Sequence, residues 1–165
     1  MRQIRKTKLS ELDEVMEVYA YARRFMAEHG NPNQWRNTKP TREQVEDDIR
    51  QGRHYVCEED GRIAAVFFFN IGNDPTYDII YNGAWLNDKD YGVVHRIAAS
   101  GITKGAGSFC INWAFAQCGN LKIDTHEDNV VMQNMLKKNG FSYCGIIHLE
   151  NGEERLAFHR EEKDA

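Results

Sequence analysis

The sequence predicts an α/β (α+β) fold in which about four helices cover a mixed, mainly antiparallel sheet of about seven strands. Three observations lead to this prediction. The chain has 165 residues, which suits one domain over residues 1–165 with a single hydrophobic core. Its apolar residues switch between the spacing of helices and the spacing of strands. Two pairs of strand-like segments flank short turns that contain glycine, which is typical of antiparallel hairpins.

The N-terminal part of the chain predicts a strand followed by two helices. The strand covers Arg2 to Lys6. From Leu9 to Glu28, apolar residues recur every three or four positions, which is typical of an amphipathic helix, and Gly30 is a natural end for it. Thr41 can cap the second helix, which ends near Gly52.

The centre of the chain predicts strands. His54 to Glu58 and Arg62 to Asn70 flank a Glu-Asp-Gly turn and form a hairpin. Residues 66–69 are apolar at every position, as expected for a central strand that is covered on both faces. Residues 77–86 are either a strand or a loop, and Tyr91 to Ala99 is a further strand.

The C-terminal part predicts a helix, a strand, a second helix and a hairpin. These elements cover residues 108–117, 121–125, 129–138 and, for the two strands of the hairpin, 143–149 and 155–159. Asn151-Gly152 lies between the last two strands and favours a type I′ turn. A ligand is expected in the β-α-β-α portion, outside the carboxyl ends of its strands.

Composition narrows the classes of function. With 25 acidic and 21 basic residues the net charge is −4, and no basic stripe suggests a nucleic-acid partner. The longest apolar run, Ile63 to Phe69, is too short to span a bilayer, and the first residues lack the apolar core of a secretory signal. The four cysteines show neither a CxxC pair nor zinc spacing. We therefore expect a cytoplasmic protein with no nucleic-acid, membrane or metal partner.

A glycine-rich turn is the first candidate for a ligand site. A strand leads into Lys104-Gly105-Ala106-Gly107-Ser108, and an apolar helix follows. Glycines let the backbone approach a ligand, and a helix N-terminus offers free N–H groups and a positive dipole end, which suit a pyrophosphate. Lys104 can add a positive charge. A turn of this composition can also serve only as a connection between strand and helix.

Two sequence blocks resemble the GNAT superfamily of acetyl-CoA-dependent N-acetyltransferases. The family binds the CoA pyrophosphate at a turn of pattern Gln/Arg-x-x-Gly-x-Gly/Ala. This pattern falls on residues 102–107, with both glycines present and Ile102 at the position of Gln or Arg. The second block, IDTHEDNVVMQNMLKKNGF, matches the family's strand, Asn and helix ending in Gly-Phe, and places Asn129 at the Asn that faces the cofactor. The resemblance extends from the first strand to the last hairpin.

The resemblance implies a specific arrangement of the cofactor, acetyl-CoA. The fourth strand, around His95 to Ala99, should diverge from the next strand at residues 121–125. Pantetheine would lie in the gap and bond to backbone groups of Ile97, Ala98 and Ala99. The acceptor amine would approach the thioester from the opposite side.

Three residues are candidates for the base that removes the amine proton. Asp124 matches the position at which the family's ribosomal-protein N-terminal acetyltransferases carry a catalytic Glu, but a salt bridge or a solvated strand face would also explain it. His126 shares its strand face if the strand extends so far, and otherwise is a loop or cap residue. His95 lies on the fourth strand, where imidazole suits a base near neutral pH, but a hydrogen-bonded core histidine is the alternative. The tyrosine that many family members use as the acid is replaced by Leu136.

The resemblance implies direct transfer of an acetyl group from acetyl-CoA to a primary amine. The acceptor is an amine-bearing small molecule or a protein N-terminus, and a homodimer is compatible with the family. Ile102 and Leu136 motivate two alternatives, an acyl-CoA sensor without turnover and a protein-interaction domain that has lost the cofactor. Trp35 and Trp85 flank loops on the acceptor side, where they either shape a pocket or pack under their own loops.

Overall fold

The computed structural model describes residues 1–36 and 38–162, so residues 37 and 163–165 of the predicted domain lie outside the described residues. The described part contains seven strands and four α-helices, with short 3₁₀ turns at Leu9–Glu11 and Pro75–Tyr77. The strands are β1 (Arg2–Lys6), β2 (His54–Glu59), β3 (Arg62–Ile71), β4 (Gly92–Ala99), β5 (Asn120–Thr125), β6 (Ser142–His148) and β7 (Glu154–Glu161). The helices are α1 (Leu12–Glu28), α2 (Arg42–Arg50), α3 (Ala106–Cys118) and α4 (Val130–Lys138).

The strands form one sheet in the order β1-β2-β3-β4-β5-β7-β6. Every neighbouring pair is antiparallel except β4 and β5, which are parallel. The prediction of a mixed, mainly antiparallel sheet of about seven strands with about four helices is confirmed. The segment at residues 77–86 is mostly loop, and its single strand-like contact is the bridge between Tyr81 and Ile146.

The helices cover both faces of the sheet. Val66 of β3 packs with α1 and α2, whereas its neighbours Ala65 and Phe67 pack with α3 and α4. Side chains alternate between the faces of a strand, so a strand buried on both sides must be apolar at successive positions. This explains the continuous apolar run of β3, which contains five consecutive buried residues, 63–67.

Local sequence signals set most of the element ends. The Oγ1 of Thr41 accepts a hydrogen bond from the backbone N–H of Gln44 at 3.2 Å and caps α2. Asp60 and Gly61, with φ of 52° and 79°, form the two-residue turn between β2 and β3. Positive φ at both central residues is what a type I′ hairpin requires.

The type I′ turn predicted at Asn151-Gly152 is wrong. Only Gly152 has a positive φ, of 87°, and its N–H donates to the carbonyl of Leu149 at 2.8 Å. The side chain of Asn151 instead accepts a hydrogen bond from the N–H of Glu153 at 2.9 Å. Asn side chains favour such local turns because they can replace a backbone acceptor. The last hairpin therefore closes over five residues rather than two.

β4 and β5 diverge, as the resemblance implies. They pair only at Gly92 with Leu121 and at Val93 with Lys122. Further along, β4 contains a bulge at Arg96, whose φ is 50°, where the register with β3 shifts. The carboxyl-terminal half of β4 is thus free of β5, and a gap opens in the middle of the sheet.

Within the described residues, no helix is long and apolar enough to cross a membrane.

Candidate active site

Two cavities meet at the gap between β4 and β5. The first, of about 350 Å³, is bordered by α1, β4, the glycine turn and α4, and we call it the apolar cavity. The second, of about 400 Å³, opens on the other side of the gap, and we call it the polar cavity. Both are lined by Met26, Ile97, Asn129 and Met132. A ligand in one cavity can therefore contact a ligand in the other through the gap.

The glycine turn presents free N–H groups beside the apolar cavity. Gly105, with φ of 78°, is the N-cap of α3, and the first backbone bond of the helix runs from Phe109 N–H to its carbonyl at 3.0 Å. The N–H groups of Ala106, Gly107 and Ser108 have no backbone acceptor within the described chain. A Cβ at Gly107 would lie 3.8 Å from Cε of Met135 and would meet nothing nearer. The turn thus has the donors and the open space that a phosphate group needs.

Arg2, which the sequence analysis did not single out, secures this turn. Its Nη2 donates to Oγ1 of Thr103 at 3.0 Å and to the carbonyl of Lys104, while its Nε pairs with Glu59 at 3.0 Å. Lys104 itself is exposed. The missing polar side chain at Ile102 is thus offset by an arginine from the edge strand β1. Because Arg2 and Thr103 are 101 positions apart, no local pattern indicates this contact.

Two asparagines border the apolar cavity where α4 begins. Asn129 caps α4 by accepting the N–H of Met132 at 3.0 Å, and its Nδ2 donates to Gln34 at 3.0 Å. Asn31 is almost fully buried, and its Oδ1 receives no hydrogen bond from any described residue. A buried acceptor without a donor costs free energy unless a ligand or water satisfies it. This oxygen suits an amide N–H of a bound ligand, such as those of pantetheine.

A chain of titratable side chains lies at the polar side of the gap. His95 of β4 and Asp124 of β5 face each other, with 3.8 Å between Nδ1 and Oδ1. The Nε2 of His95 bonds to Oδ2 of Asp74 at 2.6 Å. The hydroxyl of Tyr77 donates to Oδ1 of Asp124 at 2.5 Å. Asp74 and Tyr77 come from the loop after β3, for which the sequence offered no signal beyond a turn.

The environment sets the protonation of the two loop residues. Burial raises the pKa of Tyr77 well above its ordinary value, and the neighbouring Asp124 raises it further, so the hydroxyl stays a donor. Burial also raises the pKa of Asp74, but the hydrogen bond and charge of His95, with Thr76, outweigh it and lower the pKa overall. An ionised Asp74 can only accept, so Nε2 of His95 carries a proton. In the neutral ring, Nδ1 then carries no proton, and its lone pair lies on the side of Asp124.

The structure places His126 apart from Asp124 and His95. β5 ends at Thr125, so the alternation that would put His126 on the same strand face does not reach it. Its Nδ1 accepts the N–H of Asp128 at 3.0 Å, and it lines a third cavity of about 380 Å³. This is the loop or cap arrangement that the sequence analysis gave as the alternative.

The remaining candidates divide between site and core. Leu136 is completely buried and lines neither cavity. Trp35 lines the polar cavity and packs edge-on against Tyr19, with 5.7 Å between ring centroids. Trp85 donates to the carbonyl of Tyr77 at 2.9 Å and packs under its own loop. Ile97, Ala98 and Ala99, the predicted pantetheine contacts, all line the apolar cavity.

No group of three or more His, Cys, Asp or Glu side chains within residues 1–36 and 38–162 is arranged to hold a metal ion.

The chain is similar over nearly its whole length to acetyltransferases of known structure. A GNAT-family acetyltransferase from Streptococcus agalactiae is 35% identical, with a TM-score of 0.85 over 99% of this chain and 96% of the other. A GNAT-family acetyltransferase from Listeria monocytogenes is 17% identical, with a TM-score of 0.70 over 98% and 95%. A PaiA N-acetyltransferase from Thermoplasma acidophilum, solved in complex with coenzyme A, is 14% identical, with a TM-score of 0.67 over 98% and 99%.

No protein-family model matches the chain, and no curated protein matches it. The identity to the streptococcal protein, over almost the full length of both chains, nevertheless shows that this chain belongs to the GNAT family of acetyltransferases.

Proposed function

We propose that the chain transfers an acetyl group from acetyl-CoA directly to a primary amine. The observation that carries the proposal is the meeting of the two cavities at the β4–β5 gap, with Asp124 and His95 lining the polar one. A sensor that only binds acyl-CoA has no need of an imidazole and a carboxylate at this junction. An interaction domain that has lost the cofactor has no need of the free N–H groups at the glycine turn.

The residues of the apolar cavity fit acetyl-CoA, which supplies a thioester-activated acetyl group when bound. The N–H groups of Ala106, Gly107 and Ser108 would hold the pyrophosphate, and Lys104 would add a positive charge. The unpaired half of β4 at residues 97–99 and the Oδ1 of Asn31 would bond to the pantetheine. The coenzyme A complex of the Thermoplasma relative supports a CoA ligand at this fold.

The polar cavity supplies the groups that an amine acceptor requires. A primary amine is an ammonium ion near neutral pH and must lose a proton before it can attack. Asp124 would hold the ammonium by charge, and Nδ1 of His95 would take its proton. Asp74 would stabilise the resulting imidazolium, as a buried carboxylate does in a catalytic triad. The amine nitrogen would then bond to the acetyl carbon as the carbon–sulfur bond breaks. The nitrogen would lose its second proton to solvent, and the departing thiolate would gain a proton from solvent.

The first experiment is calorimetric titration with acetyl-CoA, with CoA and NADH as comparators. Micromolar binding selective for the CoA ligands, about −8 kcal/mol, supports the assignment of the apolar cavity. A panel of primary amines, followed by thiol release, then tests turnover. Tight binding of acetyl-CoA without thiol release on any amine would favour the sensor, and no binding would favour the interaction domain.

Two variants test the roles at the junction. His95→Gln and Asp124→Asn should each lower kcat by about 100-fold or more, the usual contribution of general acid–base catalysis, with the Kd for acetyl-CoA unchanged. Gln117→Glu, on the exposed surface of α3, serves as the control. Full activity of either site variant across the pH range would remove that residue from the mechanism.

A further inference from the structure

The polar cavity has an uneven distribution of charge. Four basic residues line it, Arg36, Lys39, Arg96 and Arg155, whereas its described acidic lining consists of Asp124 and Glu153. Arg96 pairs at 2.8 Å with Asp48, which lies outside the cavity. The charges that remain include a negative one at Asp124 and a positive group formed by Arg36 and Arg155, which share Glu153.

The positive group has too few carboxylates for its guanidinium ions. Glu153 bonds to Arg36 through Oε1 at 2.9 Å and to Arg155 through Oε2 at 3.2 Å, so one negative charge is shared by two positive ones. Lys39 forms no ion pair with any described residue. Arg155 is only 5% exposed, and its guanidinium donates to the carbonyls of Gln34 and Glu154 and to Glu153 at 3.0–3.2 Å, but Glu153 is the one negatively charged partner among these. The arrangement is therefore electrostatically suited to one further anion.

Gln34 adds a donor at the same place. Its Oε1 accepts hydrogen bonds from Asn31, Thr125, Asn129 and the N–H of His126, at 3.0–3.3 Å. Two of these partners fix which way the amide points, because the opposite orientation would set its NH₂ group against the N–H of His126 and the Nδ2 of Asn129, whose own orientation is fixed by its bond from Met132. The Nε2 is left without an acceptor among the described residues, and Gln34 lines the polar cavity. Its backbone carbonyl accepts from Arg155 at 3.1 Å, which places the residue beside the guanidinium.

The two charged groups lie close enough for one small molecule. Asp124 pairs with Ala157 across β5 and β7, so Arg155 is its diagonal neighbour, two residues along the same face. Such neighbours are separated by about 7–8 Å between Cα atoms. The side chains of both residues reach toward the polar cavity, whose volume suits a small ligand.

We propose that the acceptor of this enzyme is a small molecule that carries both a primary amine and a carboxylate, as an amino acid does. The amine lies at Asp124 and His95, and the carboxylate lies at Arg36, Arg155 and Gln34. A polyamine would bring a second ammonium against the guanidinium ions, and a protein N-terminus has an uncharged amide in place of the α-carboxylate. The proposal rests on the proposed acetyl transfer and specifies its acceptor.

Matched acceptors test this directly. The common L-amino acids, β-alanine and 4-aminobutyrate are compared with their own carboxamides, which keep the amine and lose the negative charge. We expect the best acid to exceed its carboxamide at least tenfold in kcat/KM. Carboxamides, polyamines or peptide N-termini that are acetylated as well as or better than the acids would overturn the proposal.

A variant separates the carboxylate site from the catalytic groups. Arg36→Asn removes one guanidinium and keeps a residue that tolerates the left-handed backbone found at this position, where φ is 55°. The preference for the acid should fall at least fivefold through KM, while kcat/KM for the carboxamide stays the same. Arg42→Asn, which loses only a surface pair with Asp13, should keep the full preference. An unchanged preference in Arg36→Asn would contradict the assignment.

A binding measurement distinguishes failure of this proposal from failure of the catalytic one. N-acetyl amino acids, which have no amine to react, are added to the protein with CoA, and the melting temperature is compared with that for N-acetyl carboxamides. Stabilisation by the acids alone supports the carboxylate site even in a protein that turns over nothing. If no N-acetyl amino acid raises the melting temperature, the carboxylate site is overturned, whether or not the enzyme acetylates amines that lack a carboxylate.

Discussion

At the scale of single residues, the site depends on two hydrogen-bonded pairs, Asp74 with His95 and Tyr77 with Asp124, with 3.8 Å between Nδ1 of His95 and Oδ1 of Asp124. Each of these residues alone has an ordinary structural explanation. Together they place a proton acceptor and a negative charge at the mouth of the gap. Asp74 does not face the gap, so its contribution is to hold the imidazole in one tautomer and orientation.

The change Asp74→Asn tests this positioning role. An Asn side chain can present its NH₂ group to Nε2, which favours the tautomer with the proton on Nδ1 and removes the lone pair that faces the acceptor. We expect kcat to fall by about 10–100-fold, within the range that base catalysis contributes, with the Kd for acetyl-CoA unchanged. The measurement is a kcat–pH profile beside calorimetry. Asp78→Asn, an exposed change in the same loop, should retain full kcat, and equal losses in both variants would argue for a general loop defect.

At the scale of elements, the start of α3 is the proposed pyrophosphate site because the N–H groups of its first turn have no backbone acceptor among the described residues. Gly107 tolerates a Cβ, since the nearest atom would be 3.8 Å away at ordinary contact distance, but a large side chain would extend into the apolar cavity that this residue lines. A small side chain at position 107 therefore leaves the space beside the turn open, whereas a large one fills it.

We expect Gly107→Trp to abolish measurable binding of acetyl-CoA because the indole fills the space for the pyrophosphate. Gly107→Ala should bind within a few-fold of the parent chain. Calorimetry gives the affinities, and far-UV circular dichroism shows whether α3 is intact. Equal affinity of the Trp variant and the parent would exclude the glycine turn as the pyrophosphate site.

Arg2 connects two elements that are far apart in sequence, β1 and the turn before α3. Arg2→Gln should weaken acetyl-CoA binding by about tenfold, since a lost charge-assisted hydrogen bond costs about 1.5–3 kcal/mol, and should leave kcat at saturating acetyl-CoA unchanged. Arg62→Gln, an exposed change on β3, is the matched control. A fall in kcat without a change in affinity would show that Arg2 acts elsewhere.

At the scale of the whole molecule, a buried histidine joins the helical layer to the sheet. The Nδ1 of His54 bonds to Thr7 at 2.7 Å, and its Nε2 bonds to the hydroxyl of Tyr19 at 2.9 Å. Tyr19 in turn donates to the carbonyl of Arg96 at the β4 bulge, at 2.8 Å. Burial and, to a smaller extent, the charge of Arg96 together lower the pKa of His54 to about 4.

This histidine predicts a loss of stability in mild acid. Because its pKa is lower in the folded chain than in the unfolded chain, the unfolded state binds the proton first, and stability falls as pH drops from about 6.5 towards 4. Between pH 7 and pH 5 the free energy of unfolding should fall by about 2 kcal/mol from this group. Urea unfolding at both pH values measures it. His54→Gln should be less stable at pH 7 but lose less on acidification, and an unchanged pH dependence would contradict the assignment.

Most of the fold was determined by the sequence alone because its signals are local. Periodicity marked the helices, Thr41 and the Asp60-Gly61 pair marked a cap and a turn, and the apolar run of β3 marked a central strand. The glycine turn and Asn129 were also recognisable from short patterns. Asp124 and His95 were candidates from single positions, without evidence that they meet.

Only the tertiary structure decided how the site is composed. His126 shares the strand face of Asp124 only if β5 extends so far, but the last pair of β5 joins Thr125 to Leu156, and the N–H of His126 bonds instead to the side chain of Gln34. Asp74, Tyr77, Arg2 and Gln34 act through contacts that span tens of residues, and such contacts leave no local pattern. The divergence of β4 from β5 was implied by the family resemblance, but the point where it begins, after two paired residues, is a property of the assembled sheet.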